Sequence, residues 1–248
     1  MINILEKNIE KAVELLKNAK HVTAFTGAGI SVESGIPAFR GENGLWNKYD
    51  SKLLEFSSYK KTPERSWPII REIFYDFFGK ANPNSAHKIL AKMEKAGVIK
   101  TIITQNIDNL HQSAGSVNVI EFHGTSKTFV CLSCNSKFDS GTLSLQNTPP
   151  KCSKCGGLLK PDFIFFGEGI PEEAFKKSFE EAKIADVFLI IGTTGEVMPA
   201  SMIPKEAKMN GVKIIEINPE KSQYTEHYTN IFLKGKACAI MERLDKLM

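Results

Sequence analysis

Apolar positions in this chain recur with two alternating periods. Ile2, Leu5, Ile9, Val13 and Leu16 repeat at helical spacing with Lys and Glu between them, which predicts an amphipathic helix over 3–19. HVTAFTG (21–27) follows as a short buried strand. Asn82-Pro83-Asn84 starts another helix, whose stripe of Ala86, Leu90 and Met93 stops at Gly97. VIKTIIT (98–104) reads as the next strand, Asp108–Ala114 as a short helix closed by Gly115, and VNVIEFHG as a further strand. Beyond residue 160 come a helix over 172–183, strands over 185–192, 211–218 and 230–235, and an amphipathic helix over 237–247. Strand and helix alternate, so the predicted fold class is α/β, with a parallel sheet covered on both faces.

Two stretches break the alternation. Residues 35–50 are loop-like, with Gly35, Gly41, Gly44 and Pro37. Residues 51–80 are helical and rich in aromatics, interrupted by Pro63 and Pro68, and read as a small helical insertion with its own core. The second break, 125–160, carries CLSC and CSKC in the pattern C-x2-C-x17-C-x2-C. That is zinc-ribbon spacing: each C-x2-C sets two thiolates on one knuckle, and two knuckles complete a tetrahedron. Cys131, Cys134, Cys152 and Cys155 are the expected ligands of one structural zinc, since no further ligand or open position is indicated. The fifth cysteine, Cys238, reads as a small buried hydrophobe.

Composition narrows the class. A length of 248 residues suits one large domain or one with a smaller partner. The formal charge of +4 is mild, and no block of like charge or basic aromatic stripe marks a dedicated nucleic-acid surface. No apolar run approaches the length of a membrane span, and the N-terminus lacks the continuous apolar segment of a signal peptide. A cytoplasmic protein, expected as a monomer, follows.

Candidate chemistry sits where the predicted strands end. Gly27-Ala28-Gly29, Gln105-Asn106, His123, Gly192-Thr193-Thr194 and Asn218 are all small or polar, and in a parallel sheet these ends share one edge. Within TQNIDNLHQSAGSVNVIEFHG (104–124), polar groups crowd between two apolar runs, as the wall of a ligand cleft would require. GAGIS fits a phosphate-cradling turn and a plain tight βα turn equally, because its next glycine, Gly35, does not complete G-x-G-x-x-G. Phe39-Arg40 could cover a planar ring and a phosphate, or simply anchor the loop.

GAGIS, SGIPAFRG, TQNIDNLH, AGS, EFHG, the paired CxxC knuckles, FFGE, GTT-x2-V-x-PA and IN occur here in the order found in sirtuins, the NAD-dependent protein lysine deacylases. The chain resembles that family from about residue 10 to 240. The resemblance implies a Rossmann-like NAD-binding domain (1–36, 81–124 and 161–248), a helical module (37–80) and a zinc-binding module (125–160), with NAD between them. It further implies that Gly27, Ala28 and Gly29 face the phosphates, with Phe39 and Arg40 in the cofactor loop. Gln105 would contact a ribose hydroxyl, Ile107 and Asp108 the nicotinamide carboxamide. Gly192, Thr193, Thr194, Asn218, Lys236 and Ala237 would line the adenosine end. His123 resembles the catalytic base, with Asn106 the second catalytic residue. Ile164, Phe166, Gly167, Glu168 and Val197 resemble the channel in which an acyl-lysine protein or peptide adds as a strand. The implied reaction moves the acyl group to ADP-ribose and releases nicotinamide. His123 would accept a ribose hydroxyl proton, a task suited to a group whose ordinary pKa is about 6.5.

Two departures from the family pattern bear on substrate. Ala38 stands where many relatives have Asp, which affects local loop hydrogen bonding. Ile70 and Ile73 stand where relatives that prefer succinyl- or malonyl-lysine carry Tyr-x-x-Arg. Hydrocarbon cannot pair with an acyl carboxylate, so deacetylation is expected, extending to longer apolar acyl groups. Within enzymes the competing reading is NAD-dependent ADP-ribosyl transfer to protein. Outside them it is a zinc-ribbon nucleic-acid module, which the modest charge disfavours. A hydride-transferring dehydrogenase is the generic alternative for the fold.

Overall fold

Six strands form one wholly parallel sheet, and the chain's other elements are hung from it. In this computed structural model residues 4–39, 44–146 and 148–248 are described, so Ile2 and Arg40 lie outside the described residues. In chain order the elements are α1 (Ile4–Asn18), β1 (Val22–Thr26), α2 (Phe56–Lys61), α3 (Pro63–Arg71), α4 (Ser85–Lys95), β2 (Ile99–Thr104), α5 (Leu110–Ser113) and β3 (Val119–Glu121). There follow β4 (Gly124–Cys131), β5 (Lys137–Asp139), β6 (Leu159–Phe163), α6 (Glu172–Ile184), β7 (Val187–Ile191), α7 (Met202–Met209), β8 (Lys213–Asn218), β9 (Ile231–Lys234) and α8 (Ala237–Leu247). The large sheet runs β3-β2-β1-β7-β8-β9, and the small one is an antiparallel β5-β4-β6.

Strand order reverses at β1. The chain leaves β1 for β2 on one side and later returns to lay β7 on the other. The helices that follow β1 and β7 therefore pack on opposite faces of the sheet, the arrangement that forms a ligand crevice at the carboxyl edge. Helices α1, α4 and α8 cover one face through Ile9, Leu16, Leu90, Ile240 and Leu244, which pack on Val22, Ala24 and Leu189. The other face buries Phe25, Phe188, Ile190 and Ile214 beneath Ala182, Ile203 and Ala207 of α6 and α7. No helix among the described residues is long and apolar enough to cross a membrane.

The helical insertion does not close a core of its own, contrary to the reading of 51–80. Tyr59, Trp67, Ile70 and Phe74 pack with Phe129, Leu159, Phe163 and Phe165 of the small sheet in one apolar cluster. Tyr59 donates to the Leu159 carbonyl at 2.7 Å, and the Trp67 indole donates to the Gln146 carbonyl at 2.7 Å. A segment this short has too little interior to bury such rings alone. Pro63 opens α3 as its first residue, while Pro68 sits inside it without ending it. Burial of Trp67 and Ile70 on either side holds the turn, and the helix runs on into a π turn over Glu72–Phe77.

VNVIEFHG is a shorter strand than its pattern predicts. β3 ends at Glu121, Phe122 and His123 form a turn, and Gly124 already begins β4 of the other sheet. Gly124 has φ of 74°, and a Cβ there would collide with the Asp162 carbonyl oxygen. The chain can pass from sheet to sheet here only without a side chain. Gly124→Ala is expected to destabilise the protein by about 2 kcal/mol or more, read as a lowered midpoint in urea unfolding.

Candidate active site

Three strand-end loops meet at the crevice. After β1 the backbone forms a single stretch of 3-10 helix, Ala28–Ser34, rather than an α-helix. Gly29 donates its amide to the Gly192 carbonyl at 2.8 Å, and a Cβ on Gly29 would lie 2.6 Å from Gly192 Cα. The loops after β1 and β7 thus touch backbone to backbone. Gly27 donates to Ile191 at 3.0 Å, so the Gly27 and Gly29 amides are both engaged. Among the described residues the Ala28 amide has no acceptor.

The segment after β2 is the hub. Gln105 Nε2 donates to Thr193 Oγ1 at 3.1 Å. Asn106, 7% exposed, donates from Nδ2 to the Gly27 carbonyl at 3.2 Å and to Ser31 Oγ at 3.1 Å. Asp108 accepts from Ser31 Oγ at 2.7 Å and from the Leu110 amide at 3.0 Å. Burial pushes the Asp108 carboxyl above its ordinary pKa, and those two donors oppose the rise. Ile107 is buried in the shared aromatic core. On the far side, Asn218 Nδ2 donates to the Thr193 carbonyl at 3.1 Å, and the Gly235 amide donates to the Asn218 carbonyl at 3.0 Å. That bond brings Lys236 and Ala237, at the start of α8, beside Asn218. Thr194 is exposed next to Thr193.

His123 Nδ1 lies 3.0 Å from the Gln105 carbonyl oxygen. A carbonyl only accepts, so Nδ1 carries the proton and Nε2 keeps a free lone pair. Burial lowers the His123 pKa, and the bond to Gln105 partly restores it. The imidazole is therefore a neutral base near neutral pH. Its own carbonyl accepts the Ile164 amide at 2.8 Å, which ties the predicted substrate segment to the predicted base. One hydrogen-bonded path thus runs from Gly235 through Asn218, Thr193, Gln105 and His123 to Ile164.

Other predicted residues lie outside that path. Phe39 packs inward, its ring 6.4 Å from Phe74 and 6.3 Å from Phe78. Glu168 turns back to accept the Phe165 amide at 2.7 Å. Phe166 and Gly167 are exposed and line a groove of about 620 Å³ with Phe56, Ser57 and Lys60. Val197 is half-buried in the loop after β7, with no hydrogen bond to 164–168 among the described residues. Sequence reasoning missed the groups beneath the hub. Ser31 joins Asn106 and Asp108, and Asn84 accepts from the His87 amide at 3.3 Å while facing His87 Nδ1 at 2.9 Å. His111 faces Thr26 Oγ1 at 2.9 Å, and burial holds it down to about 3 and His87 down to about 4. The available signal was a serine directly after a glycine turn, which is too common to single out.

The four predicted metal ligands converge. Sulfurs of Cys131, Cys134, Cys152 and Cys155 all lie within 4.8 Å of one another, with Cys131–Cys155 at 3.5 Å and Cys134–Cys152 at 3.8 Å. Tetrahedral thiolates about 2.3 Å from zinc stand about 3.8 Å apart, so the cluster fits that ion with all four positions filled by protein. Amides of Asn135 and Gly156 close the two knuckles onto the Cys131 and Cys152 carbonyls, at 3.0 and 2.8 Å.

Comparison with known proteins agrees with this geometry. The Sir2 family model matches residues 27–199. An NAD-dependent protein deacylase of Thermococcus kodakarensis is 44% identical over 240 residues, 94% of this chain and 93% of the relative. NAD-dependent protein deacylase 1 of Archaeoglobus fulgidus is 41% identical over 236 residues, 95% of this chain and 96% of the relative. A Sir2 homologue solved with ADP-ribose superposes with a TM-score of 0.92 at 40% identity, covering 96% of this chain and 95% of that one. A Sir2 variant solved with deacetylated p53 peptide and 3′-O-acetyl ADP-ribose gives 0.90 at 30% identity, covering 96% and 97%.

Zinc binding should contribute to folding, because two of its ligands, Cys131 and Cys152, lie in the same cluster as the aromatic core. Chelation is expected to release one zinc per chain and lower the melting temperature, followed by a chromogenic zinc indicator and calorimetry. An unchanged melting temperature after complete release would contradict it.

Proposed function

The chain belongs to the Sir2 family and is an NAD-dependent protein deacylase; on that footing we propose how its own residues divide the work. NAD, when bound, supplies an electrophilic ribose carbon and nicotinamide as leaving group, and its ADP-ribose takes the acyl group. The observation that carries the assignment is the bond from His123 Nδ1 to the Gln105 carbonyl, which leaves Nε2 free to accept a proton.

Ala28 would donate its amide to a phosphate, with Gly27 and Gly29 letting the backbone approach. Gln105 would orient a ribose hydroxyl, its amide nitrogen steadied by Thr193. Asn106, Ile107 and Asp108 would hold the nicotinamide end, on a floor fixed by Ser31. Gly192, Thr193, Thr194, Asn218, Lys236 and Ala237 would receive the adenosine end. Phe39 would cover the reacting ribose, with Arg40 on the same loop. His123 would take a hydroxyl proton from the ribose at Nε2. Ile164, Phe166, Gly167, Glu168 and Val197 would receive the acyl-lysine peptide as an added strand.

Acyl preference follows from the wall of the shared core. Ile70 and Ile73, 0% and 2% exposed, are packed into that core, so these positions offer no cation or hydroxyl to an acyl carboxylate. A carboxylate-bearing acyl group would lose its water there without gaining a partner. We read 1–36, 81–124 and 161–248 as the NAD-binding part, 37–80 as the helical module and 125–160 as the zinc module, the last two joined by one aromatic core.

An acetyl, butyryl, myristoyl and succinyl peptide panel with product identification tests the reading. O-acyl-ADP-ribose should form from the apolar acyl peptides, with kcat/KM for succinyl at least about tenfold below acetyl. Protein-linked ADP-ribose as the main product would instead favour ADP-ribosyl transfer. His123→Ala should abolish turnover with the fold intact by circular dichroism.

The pH profile follows from the direction of the His123 shift. The free base is the active form and its pKa is lowered, so activity is lost as pH falls through a midpoint below 6.5. A kcat/KM acid limb centred well above 6.5 would exclude His123 as the titrating base.

A further inference from the structure

β6 buries a lysine. Lys160 is 4% exposed, and its ammonium donates to the carbonyls of Pro161 at 2.8 Å and Phe163 at 2.7 Å and to Glu168 Oε2 at 3.0 Å. It stands 4.5 Å over the Phe165 ring. An ammonium has three donors, and here all three are used, so its position is fixed. Every partner lies within residues 161–168. None is a zinc ligand and none belongs to the NAD crevice.

A buried ion pair is a poor stabiliser, because desolvation offsets the attraction and a packed apolar side chain of similar volume does as well or better. Lys160 is therefore better explained by the shape it imposes. The same Glu168 oxygen that meets Lys160 also accepts the Phe165 amide. The loop is thus folded back onto β6 from within. Its outer flank is held separately: Phe166 donates to the Leu54 carbonyl and accepts from the Phe56 amide, both at 3.0 Å. Its root is held by the Ile164 amide on the His123 carbonyl, at 2.8 Å. Of these three anchors, only the inner one depends on a side chain at each end.

We propose that Lys160 is a positioning residue for peptide recognition: its buried ammonium, through Glu168 and the Phe163 carbonyl, sets the 164–168 loop in the shape that receives the acyl-lysine strand. This rests on the reading of that loop as peptide-binding. β6 also pairs with β4 at Leu159–Cys131 and Lys160–Val130, so the brace is rooted directly beside a zinc knuckle. The zinc module would then supply the peptide loop with a rigid base as well as stabilising the small sheet.

The test compares the zinc-loaded wild type with Lys160→Met, Lys160→Arg and Phe166→Ala on one acetyl-lysine peptide. KM for peptide and for NAD, zinc content and hydrogen exchange of the 164–168 amides are measured for each. Lys160→Met should raise peptide KM about tenfold, since one partner of a buried charge pair is lost. NAD KM should stay within about twofold, zinc should remain bound, and exchange at 164–168 should quicken. Lys160→Arg, which keeps a multidentate cation, should recover most of the peptide affinity. Should Lys160→Met fail to fold, Lys160→Gln is read in its place. Phe166→Ala reports on the loop itself. If it raises peptide KM while the Lys160 variants do not, the role of Lys160 is refuted and the loop reading stands. If neither moves peptide KM, the loop reading fails. A Lys160 variant that loses zinc, or raises both KM values alike without rescue by Arg, makes the lysine a general structural residue and overturns the proposal.

Discussion

A single backbone crossing holds this enzyme's geometry together. At Phe122–Gly124 the chain leaves the parallel sheet and enters the antiparallel one, with Gly124 pressed against the Asp162 carbonyl. His123 sits in that turn, held by the Gln105 carbonyl on one side and holding the Ile164 amide on the other. Its imidazole is bound to a main-chain carbonyl and its own carbonyl to a main-chain amide, so both neighbours are fixed backbone.

Beneath the crevice lies a polar layer of buried Ser31, His87, Asn106 and His111 with half-buried Asn84 and Asp108. Such groups are costly unless paired. The pairing here is dense around Ser31, which meets Asn106, Asp108 and, at 3.5 Å, His87. Burial keeps both histidines neutral across the physiological range. The two histidines therefore add fixed dipoles rather than charge beside Asp108, whose carboxyl is raised by burial and opposed by its Ser31 and Leu110 donors.

The sequence made the parallel sheet legible because its strands are continuous apolar runs bounded by glycine or amides, as in VIKTIITQN and ADVFLIIGTT. Cysteine spacing made the zinc cluster legible for the same local reason. What lay hidden was non-local. The pattern of 51–80 shows aromatic helices but cannot show that their partners are Phe129, Leu159 and Phe163, far along the chain. VNVIEFHG looks like one strand because Gly124 pairs with Phe163 in the other sheet, a partner that no local window contains. Lys160 looks like any surface lysine until its three carbonyl and carboxylate partners are seen. The amides of Gly27 and Gly29 are likewise taken, by Ile191 at the end of β7 and by Gly192 just after it, which the motif alone does not show.

Strand order has a temporal side as well. The contact between Gly29 and Gly192 joins residues from opposite ends of the chain, and β1 gains its second neighbour only when β7 arrives. On a ribosome, the knuckles and their aromatic core could assemble once β6 has emerged. The crevice has no second wall until β7 follows. Contacts of this sequence separation form late and slowly. The cofactor would therefore have nothing to bind until most of the protein exists, and cofactor capture would report completed synthesis rather than guide it.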